Sequence, residues 1–287
     1  MEKIIFNSQY FNVLDTLDCG QVFRFSPFEK GFIVVSQDKC AYLYHQGDNA
    51  VIECQKQDRE YFYNYFDLSR DYAKICQSAI NENIPVLTTA VQGGKGIRIL
   101  NQDKWEALCS FIISQNNNIP RIKKIIESLS KKCGNKINIP LNAPTHLSDS
   151  TEYYTFPTPE DILELGVEGL TELKTGFRAK YIYDAALKVI NGDVDLEYTT
   201  SLSTDDAIKH LCMVKGIGPK VASCALLFAF EKYDAFPIDV WIKKVISKYF
   251  ITETNKDFSP STLGKYAGIA QQYLFYYERY GGHQQYN

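Results

Sequence analysis

One stretch, residues 211–241 (LCMVKGIGPKVASCALLFAFEKYDAFPIDVW), limits the fold more than any other. It contains a Gly-x-Gly turn at Gly216 and Gly218 between two apolar segments of helical character, and Pro219 suits the first turn of the second helix. Such a turn leaves backbone amides unpaired beside a helix N-terminus, where they can bind a phosphate. We therefore predict a helix–hairpin–helix over about residues 204–232 that contacts a nucleic-acid backbone without reading its sequence.

Two residues of this stretch can do chemistry together. Lys220 falls in the first turn of the second helix, where the positive helix end, and any partial burial, would disfavour the ammonium form, and a neutral lysine is a nucleophile suited to Schiff-base formation. Asp239 precedes the segment VWIKKVISKYF and can cap a further helix, while the chain before it is long enough to fold it back towards Lys220. Both residues also have a plainer interpretation: Lys220 as one more phosphate contact beside Lys215, and Asp239 as a cap only.

The rest of the chain predicts an α+β fold. Five segments near the N-terminus are rich in β-branched and aromatic residues and are mostly separated by turn residues, which indicates an antiparallel sheet. They are residues 3–6, 22–25, 32–36, 40–44 and 51–54. We predict an N-terminal antiparallel sheet domain with flanking helices over residues 1–98, then two mainly helical domains over residues 99–287, with a C-terminal helix at about 260–280 that packs back on the active site.

Helical patterns begin near residue 58. Apolar periodicity and cap signals predict helices at residues 59–66, 70–80, 103–114, 177–190 and 205–213. Pro120 fits the first turn of another helix, and Thr158 with the following Pro-Glu-Asp is typical of a helix start. Residues 133–155 are polar and punctuated by proline, so we expect a surface excursion there.

Charge placement narrows the partners. The net charge is −3, yet residues 101–136 and 207–250 each carry seven basic and three acidic side chains. Local positive charge on a negative chain is what a surface facing phosphates needs, although solvated helix faces would give the same counts. No apolar run approaches the length of a membrane span, and the first ten residues lack signal-peptide features, so we expect a cytoplasmic protein with no membrane partner.

The eight cysteines are scattered without C-x-x-C spacing. Zinc and iron–sulfur sites hold their ligands at such spacings, so we expect no metal and no cofactor in the chemistry. A chain of this length without a secretory signal is also a poor candidate for a disulfide framework, and we predict reduced, mostly buried thiols.

The central stretch resembles the helix–hairpin–helix, Gly/Pro-rich loop and aspartate signature of DNA base-excision glycosylases. Four further segments narrow the resemblance to the 8-oxoguanine DNA glycosylase family, and they occur in that family's order: CGQVFRF, SQNNNIPRI, GFRAKYI and YAGIAQQYLF. The resemblance covers residues 1–277. A lysine at position 220 implies combined glycosylase and AP-lyase activity, and the lack of any cysteine after Cys224 points away from the iron–sulfur branches. A bacterial-type, monomeric enzyme acting on duplex DNA that contains 8-oxoguanine is implied.

The resemblance also implies roles for single residues. Lys220 would attack C1′ of the damaged nucleoside, and Asp239 would support departure of the base and later proton transfers. The carbonyl of Gly20 would accept a hydrogen bond from N7–H of 8-oxoguanine, an atom that guanine lacks. Phe275 and Cys224 would enclose the flipped base, and Gln271 would bond its Watson–Crick edge.

Other matched positions are implied to contact the duplex. Asn116 would fill the space vacated by the flipped base, Arg121 and Arg178 would address the orphaned cytosine, and Phe177 would wedge the base stack. Gly216 and Gly218 would form the hairpin contact, for which the resemblance leaves open a structural cation on the hairpin carbonyls. Trp241 stands where the family has a histidine near the phosphate of the lesion.

Several departures favour a bacterial-type member. Phe177 stands where the eukaryotic family members have a tyrosine. Ser223 replaces an acidic residue, Pro219 a threonine and Lys215 a proline, and none of these changes removes the nucleophile. Two alternative functions stay open. One is an alkylation-type glycosylase that uses Asp239 alone, and the other is a non-catalytic module that uses the hairpin only as a clamp on the DNA backbone.

Overall fold

A computed structural model describes residues 1–137, 152–253 and 256–281. The N-terminal part forms a five-stranded antiparallel sheet in the order β1-β5-β4-β3-β2. Its strands are β1 (Glu2–Asn7), β2 (Phe25–Phe28), β3 (Gly31–Ser36), β4 (Lys39–Gln46) and β5 (Asn49–Cys54). Both faces of the sheet bury apolar side chains: Leu43 and Ile52 lie on one face, and Val35 and Val51 on the other. Neither face is therefore fully open to solvent. The predicted antiparallel sheet is confirmed.

The strand predicted at residues 22–25 is wrong, because β2 begins only at Phe25. The side chains just before β2 are buried away from the sheet. Phe23 is buried in the helical core, 6.0 Å from the ring of Phe111, and Gln21 is fully buried. The chain therefore runs from the helices to the edge of the sheet at this point, and its aromatic content serves the helical core.

The described residues also form thirteen α-helices and a second sheet of two strands. They are α1 (Val13–Leu17), α2 (Arg59–Tyr65), α3 (Tyr72–Asn81), α4 (Pro85–Gly94), α5 (Lys104–Ser114), α6 (Ile119–Cys133), β6 (Lys136–Ile137), β7 (Tyr153–Tyr154), α7 (Pro159–Glu172), α8 (Ala179–Ile190), α9 (Leu196–Ser201), α10 (Thr204–Leu211), α11 (Pro219–Ala229), α12 (Val240–Tyr249) and α13 (Ala267–Tyr280). The sequence patterns did not predict α1, α4 or α9. The predicted surface excursion lies mostly outside the described residues.

Local cap chemistry explains where the predicted helices start. Thr158 forms a capping box with Asp161 at the start of α7, and Ser203 caps α10. The helix predicted to begin at Phe177 begins at Ala179 instead, because a 3-10 turn occupies Gly176–Arg178. The predicted C-terminal helix is divided, with a 3-10 turn at Pro260–Leu263 before α13.

The centre of the helical core is α11, which has nine buried residues from Val221 to Ala229. It packs against α5, for example through the stacked rings of Phe111 and Phe228. Because the body of α11 is buried, its N-terminal turn is held firmly at the surface, and this turn carries Lys220. Within the described ranges, none of the helices combines the length and hydropathy needed to cross a membrane.

A buried arginine joins the sheet to the helices. Arg98 is fully buried, stacks on the ring of Tyr72 at 4.0 Å, and donates to the carbonyls of Phe66, Tyr10 and Arg70. These bonds satisfy a charge that would otherwise be costly to bury. The domain boundary predicted at residue 98 stays a prediction.

Candidate active site

A cavity of about 470 Å³ opens between the N-terminal segment and four parts of the helical region. Its walls come from residues 19–23, the end of α5 with the loop into α6, one face of α11, the start of α12, and α13. Seven of the predicted site residues line it, namely Gly20, Lys220, Cys224, Asp239, Trp241, Gln271 and Phe275. Positions separated by 255 residues in the chain therefore meet around one cavity.

The hairpin that leads into α11 depends on Gly216. Its φ is +81°, and a Cβ at this position would lie 2.4 Å from ring carbons of Tyr181, so a side chain is excluded by both conformation and space. The amide of Lys215 donates to Asp184 at 2.6 Å, and Gly218 caps α11. Among the described residues no acceptor faces the amides of Gly216 and Gly218. Gly216 is exposed and Gly218 is half-buried, and Lys220, two residues after Gly218, lines the cavity.

Lys220 and Cys224 share one face of α11, since they are four residues apart. The lysine is exposed at the helix start, whereas the thiol is buried. Burial raises the pKa of the Cys224 thiol, and the neighbouring Lys220 opposes that rise through its charge and a hydrogen bond. The thiol is thus kept as a neutral, polarisable surface next to a lysine amine.

Asp239 caps α12, as predicted. Its Oδ1 accepts hydrogen bonds from the amides of Trp241 (3.0 Å) and Ile242 (2.9 Å). These bonds fix the carboxylate beside the cavity that Lys220 lines. The cap and a role in chemistry are therefore compatible, since the cap uses one carboxylate oxygen.

Gln271 and Phe275 lie one turn apart on α13 and both face the cavity. Gln271 is 3% exposed, and its Oε1 has no hydrogen-bond partner in the described structure. Leaving such an acceptor unpaired costs roughly 1–3 kcal/mol, so a ligand that donates to it gains at least part of that energy. The next residue, Gln272, donates instead to the carbonyl of Cys19 at 2.8 Å and ties α13 to the N-terminal segment.

Gly20 has a φ of +85°, which favours glycine, and a Cβ there would lie 3.7 Å from the Phe275 ring. Its turn is held by Gln21, a residue to which the sequence reasoning gave no role. The Gln21 amide donates to the carbonyls of Thr16 (2.8 Å) and Arg98 (2.7 Å) and accepts from the amide of Leu100 (2.9 Å). The only sequence signal was the placement of a glutamine in an otherwise apolar run.

Three other predicted residues lie outside the cavity and are exposed. Asn116 has a positive φ of 47°, and Phe177 is 51% exposed although it is a large apolar side chain. Arg121 donates to the carbonyl of Lys174 at 3.3 Å. These residues form an exposed patch beside the loop that carries Asn117 and Asn118 into the cavity wall.

Arg178 is placed differently from the expected direct contact with DNA. It is 2% exposed, and it donates to the carbonyl of Gln115 (2.8 Å) and to that of Asn116 (2.9 Å). Its guanidinium also lies 4.4 Å from the ring centroid of Phe177. In this arrangement Arg178 shapes the loop and the aromatic residue, and its contact with a base stays a prediction.

Trp241 borders the cavity, and its indole ring makes a cation–π contact with Lys244. The ammonium of Lys244 lies 4.3 Å from the indole centroid. Arg279, at the end of α13, also lines the cavity and was not predicted, because it follows the last residue of the recognised segment by one helical turn.

Two family models together match residues 3–262 of the chain. Residues 3–108 match the family model described as 8-oxoguanine DNA glycosylase, N-terminal domain. Residues 109–262 match the model described as HhH-GPD superfamily base excision DNA repair protein. The second match alone covers more than half of the chain.

Individual relatives extend the similarity over nearly the whole chain. The Saccharomyces cerevisiae N-glycosylase/DNA lyase is 29% identical over 297 aligned positions, covering 93% of this chain and 76% of the relative. The apo 8-oxoguanine glycosylase/lyase of Clostridium acetobutylicum is 38% identical, with a TM-score of 0.86 and 96% of each chain covered. The same Clostridium enzyme in complex with duplex DNA containing cytosine opposite 8-oxoG gives 37% identity, a TM-score of 0.83, and coverage of 95% of this chain and 93% of that one. The chain belongs to the 8-oxoguanine DNA glycosylase family of N-glycosylase/DNA lyases, within the HhH-GPD superfamily of base excision DNA repair proteins.

Proposed function

We propose that the protein flips 8-oxoguanine out of duplex DNA, releases it as the free base, and then cuts the strand as an AP lyase. The observation that carries this proposal is the buried Oε1 of Gln271, which has no hydrogen-bond partner among the described residues, on a side chain that lines the same cavity as Phe275 and Lys220. A purine with N–H groups on its Watson–Crick edge supplies the missing donor. The flat ring of Phe275 supplies the stacking surface that a flipped base needs.

Base release starts at the amine of Lys220. The neutral amine attacks C1′, the C1′–N9 bond breaks, and its electron pair leaves with the base. Asp239, whose carboxylate is fixed by its cap bonds, steadies the positive charge that develops on the sugar. The nitrogen of Lys220 loses a proton, the C1′–O4′ bond breaks so that the sugar ring opens to an iminium on Lys220, and O4′ takes up a proton. Loss of a proton from C2′ then breaks the C3′–O3′ bond by β-elimination, and the 3′ phosphate leaves.

The duplex outside the cavity is bound by two surfaces. The hairpin amides of Gly216 and Gly218, which have no acceptor among the described residues, and the N-terminus of α11 bind phosphates without reading sequence. The exposed Phe177 wedges the stack, and Asn116 fills the gap left by the flipped base. These insertions offset an unstacking cost of a few kcal/mol.

Arg121 motivates a preference for cytosine opposite the lesion. We expect single-turnover release of 8-oxoguanine to be fastest opposite cytosine, by about 10-fold over the other three bases, because one well-placed arginine contact with a base is worth roughly 1–3 kcal/mol. The measurement uses four duplexes that differ only in the opposite base. Equal rates on all four would show that no such discrimination exists.

Substitution of Asp239 tests whether its negative charge contributes to base release in addition to capping α12. Asp239→Asn keeps the Oδ1 acceptor for the cap but removes the charge, so we expect base release to slow by roughly 10²–10³-fold with little change in melting temperature. Asp239→Ala should show the same loss and lose about 1 kcal/mol of stability with the cap.

The matched control for this pair is Asp195, which caps α9 through bonds of 2.8 and 2.9 Å to the amides of Glu197 and Tyr198. Asp195 does not line the cavity. Asp195→Asn should therefore leave base release unchanged. An Asp239→Asn variant that releases the base at the wild-type rate would reduce Asp239 to a structural cap.

Of the two alternative functions, the non-catalytic clamp is set aside, because the chain belongs to a family of N-glycosylase/DNA lyases. The alkylation-type alternative makes Lys220 expendable, so substitution of Lys220 separates it from the proposed mechanism.

A further inference from the structure

Arg279 stands in the last turn of α13, four residues after Phe275, and lines the cavity. Its guanidinium carbon lies 5.5 Å from the ring centroid of Phe275 and 5.2 Å from that of Tyr280. A Cβ built on Gly20 would lie 3.4 Å from its Nη1. Gly20, Phe275 and Arg279 therefore form one continuous wall, with a cation next to the backbone turn of Gly20.

Arg279 also differs from the other arginines. The chain has seven, and the remaining six each donate to a carboxylate or a carbonyl. Throughout the described ranges, Arg279 has neither a hydrogen bond nor an ion pair, and its guanidinium makes cation–π contacts with the rings of Phe275 and Tyr280. A half-buried guanidinium has five donors to satisfy, so Arg279 is a donor group without an acceptor at the edge of the cavity.

The docking of α13 does not depend on this side chain. Tyr276 donates to Asp15 at 2.9 Å, Tyr280 donates to the carbonyl of Asp18 at 2.6 Å, and Gln272 donates to that of Cys19 at 2.8 Å. These three bonds hold α13 against the N-terminal segment. The guanidinium is therefore not required to keep the wall in place.

We propose that Arg279 is a specificity-determining residue, whose guanidinium donates a hydrogen bond to O8 of the flipped 8-oxoguanine. This inference rests on the proposed function. In 8-oxoguanine O8 is bonded to C8, next to N7, whose hydrogen would be read by the Gly20 carbonyl. Guanine carries a hydrogen at C8 and has no acceptor there, so Gly20 and Arg279 together read both atoms that distinguish the lesion.

The same contact assists the reaction. When the C1′–N9 bond breaks, the electron pair passes to the base and is delocalised over N9, C8 and O8. A cation that donates to O8 lowers the energy of this anion more than that of the intact nucleoside, and such differential stabilisation accelerates the step. The released base then takes up a proton from solvent at nitrogen.

The test is the ratio of two activities of the same protein: single-turnover release of 8-oxoguanine opposite cytosine, and cleavage of a preformed abasic site opposite cytosine. Only the first reaction has a base in the cavity. We expect Arg279→Leu to lower this ratio by about 10- to 100-fold, the effect of removing one charged hydrogen bond, and Arg279→Lys to recover part of the loss. A purely structural role would slow both reactions together and leave the ratio unchanged.

Arg59 provides the matched control, because it pairs with Glu2 at 2.8 Å and does not line the cavity. Arg59→Leu should keep the wild-type ratio. Binding to duplexes that carry 8-oxoadenine, which keeps O8 but has an amine in place of O6, identifies the acceptor. In a Lys220→Gln background, Arg279→Leu should weaken this binding about 10-fold. A loss of binding to 8-oxoguanine without a loss to 8-oxoadenine would overturn the assignment to O8.

A wild-type protein that releases no 8-oxoguanine would overturn both the proposed function and the role of Arg279. A wild-type protein that releases the base, together with an Arg279→Leu variant of equal ratio, would overturn the inference alone.

Discussion

Replacing Lys220 with glutamine will abolish covalent trapping by borohydride on duplexes that contain 8-oxoguanine, and will lower base release and strand cleavage by at least about 10³-fold. Glutamine matches the length of most of the side chain but has no nucleophilic nitrogen, so no imine forms for the hydride to reduce. The N-terminal turn of α11 is exposed at this position, and the variant should therefore fold. Gel shift of the trapped complex and single-turnover kinetics measure the two effects.

Lys215 is the matched control for this substitution. It is an exposed lysine of the same hairpin, five residues earlier, and it does not line the cavity. Lys215→Gln should weaken DNA binding in a salt-dependent manner but keep the trapped complex. If wild-type protein gives no trapped complex, the Schiff-base mechanism is refuted, and if Lys220→Gln still cuts the strand, the nucleophile lies elsewhere.

The largest loss of stability is expected at Arg24. Its guanidinium lies 2.9 Å from Glu106, both side chains are 8% exposed, and it also donates to the carbonyl of Tyr154. Arg24→Met leaves a buried carboxylate without its partner, which lowers the free energy of unfolding by about 3–5 kcal/mol. Because Arg24 lies four residues after Gly20, base release should fall as well. Chemical denaturation measures the first effect.

A double variant checks the cause. Arg24→Met combined with Glu106→Gln removes both charges, so most of the lost stability should return. The control is Lys74→Ala, which breaks an ion pair at the surface. The side chain of Lys74 is 86% exposed and that of Asp71 is 50% exposed, so stability should change little. A double variant as unstable as Arg24→Met would show that packing, and not charge, decides the effect.

The pH dependence gives a second sign of the same cause. Burial raises the pKa of Glu106, with Arg24 opposing the rise. A carboxyl whose pKa is higher in the folded than in the unfolded state stabilises the fold below its unfolded pKa and loses that contribution as the pH rises through the folded value. Without Arg24 the rise is unopposed, so the free energy of unfolding of Arg24→Met should decrease from acid to neutral pH more steeply than that of the wild type.

Much of the site followed from local sequence signals. A glycine between helices and a proline after it predicted the start of α11, and an aspartate before an apolar periodic segment predicted the cap of α12. Both are short-range effects of backbone conformation and unpaired amides, so they act within a few residues. The four segments that carry the family resemblance then connected these local signals to a reaction.

The strand prediction for residues 22–25 failed because a side chain there packs far from the sheet. Residues 22–25 have the composition of a strand, yet Phe23 belongs to the helical core. For Arg178 the family resemblance implied a contact with DNA; in this structure its donors bind the carbonyls of Gln115 and Asn116, and the contact with DNA stays a prediction. Amino-acid type indicates which secondary structure or contact a residue favours. It does not indicate which distant residues will pack against it or accept its hydrogen bonds.

By itself the sequence determined the fold class, the hairpin with its lysine, the capping aspartate and the family. Only the tertiary structure decided that Gly20, Lys220 and Gln271 border one cavity, that the Gln271 oxygen is unpaired there, and that Arg279 completes the wall beside Gly20. The physical reason is the range of the forces. Capping and turn preferences act over a few residues, whereas burial and hydrogen-bond satisfaction depend on which distant segments the packed core brings together.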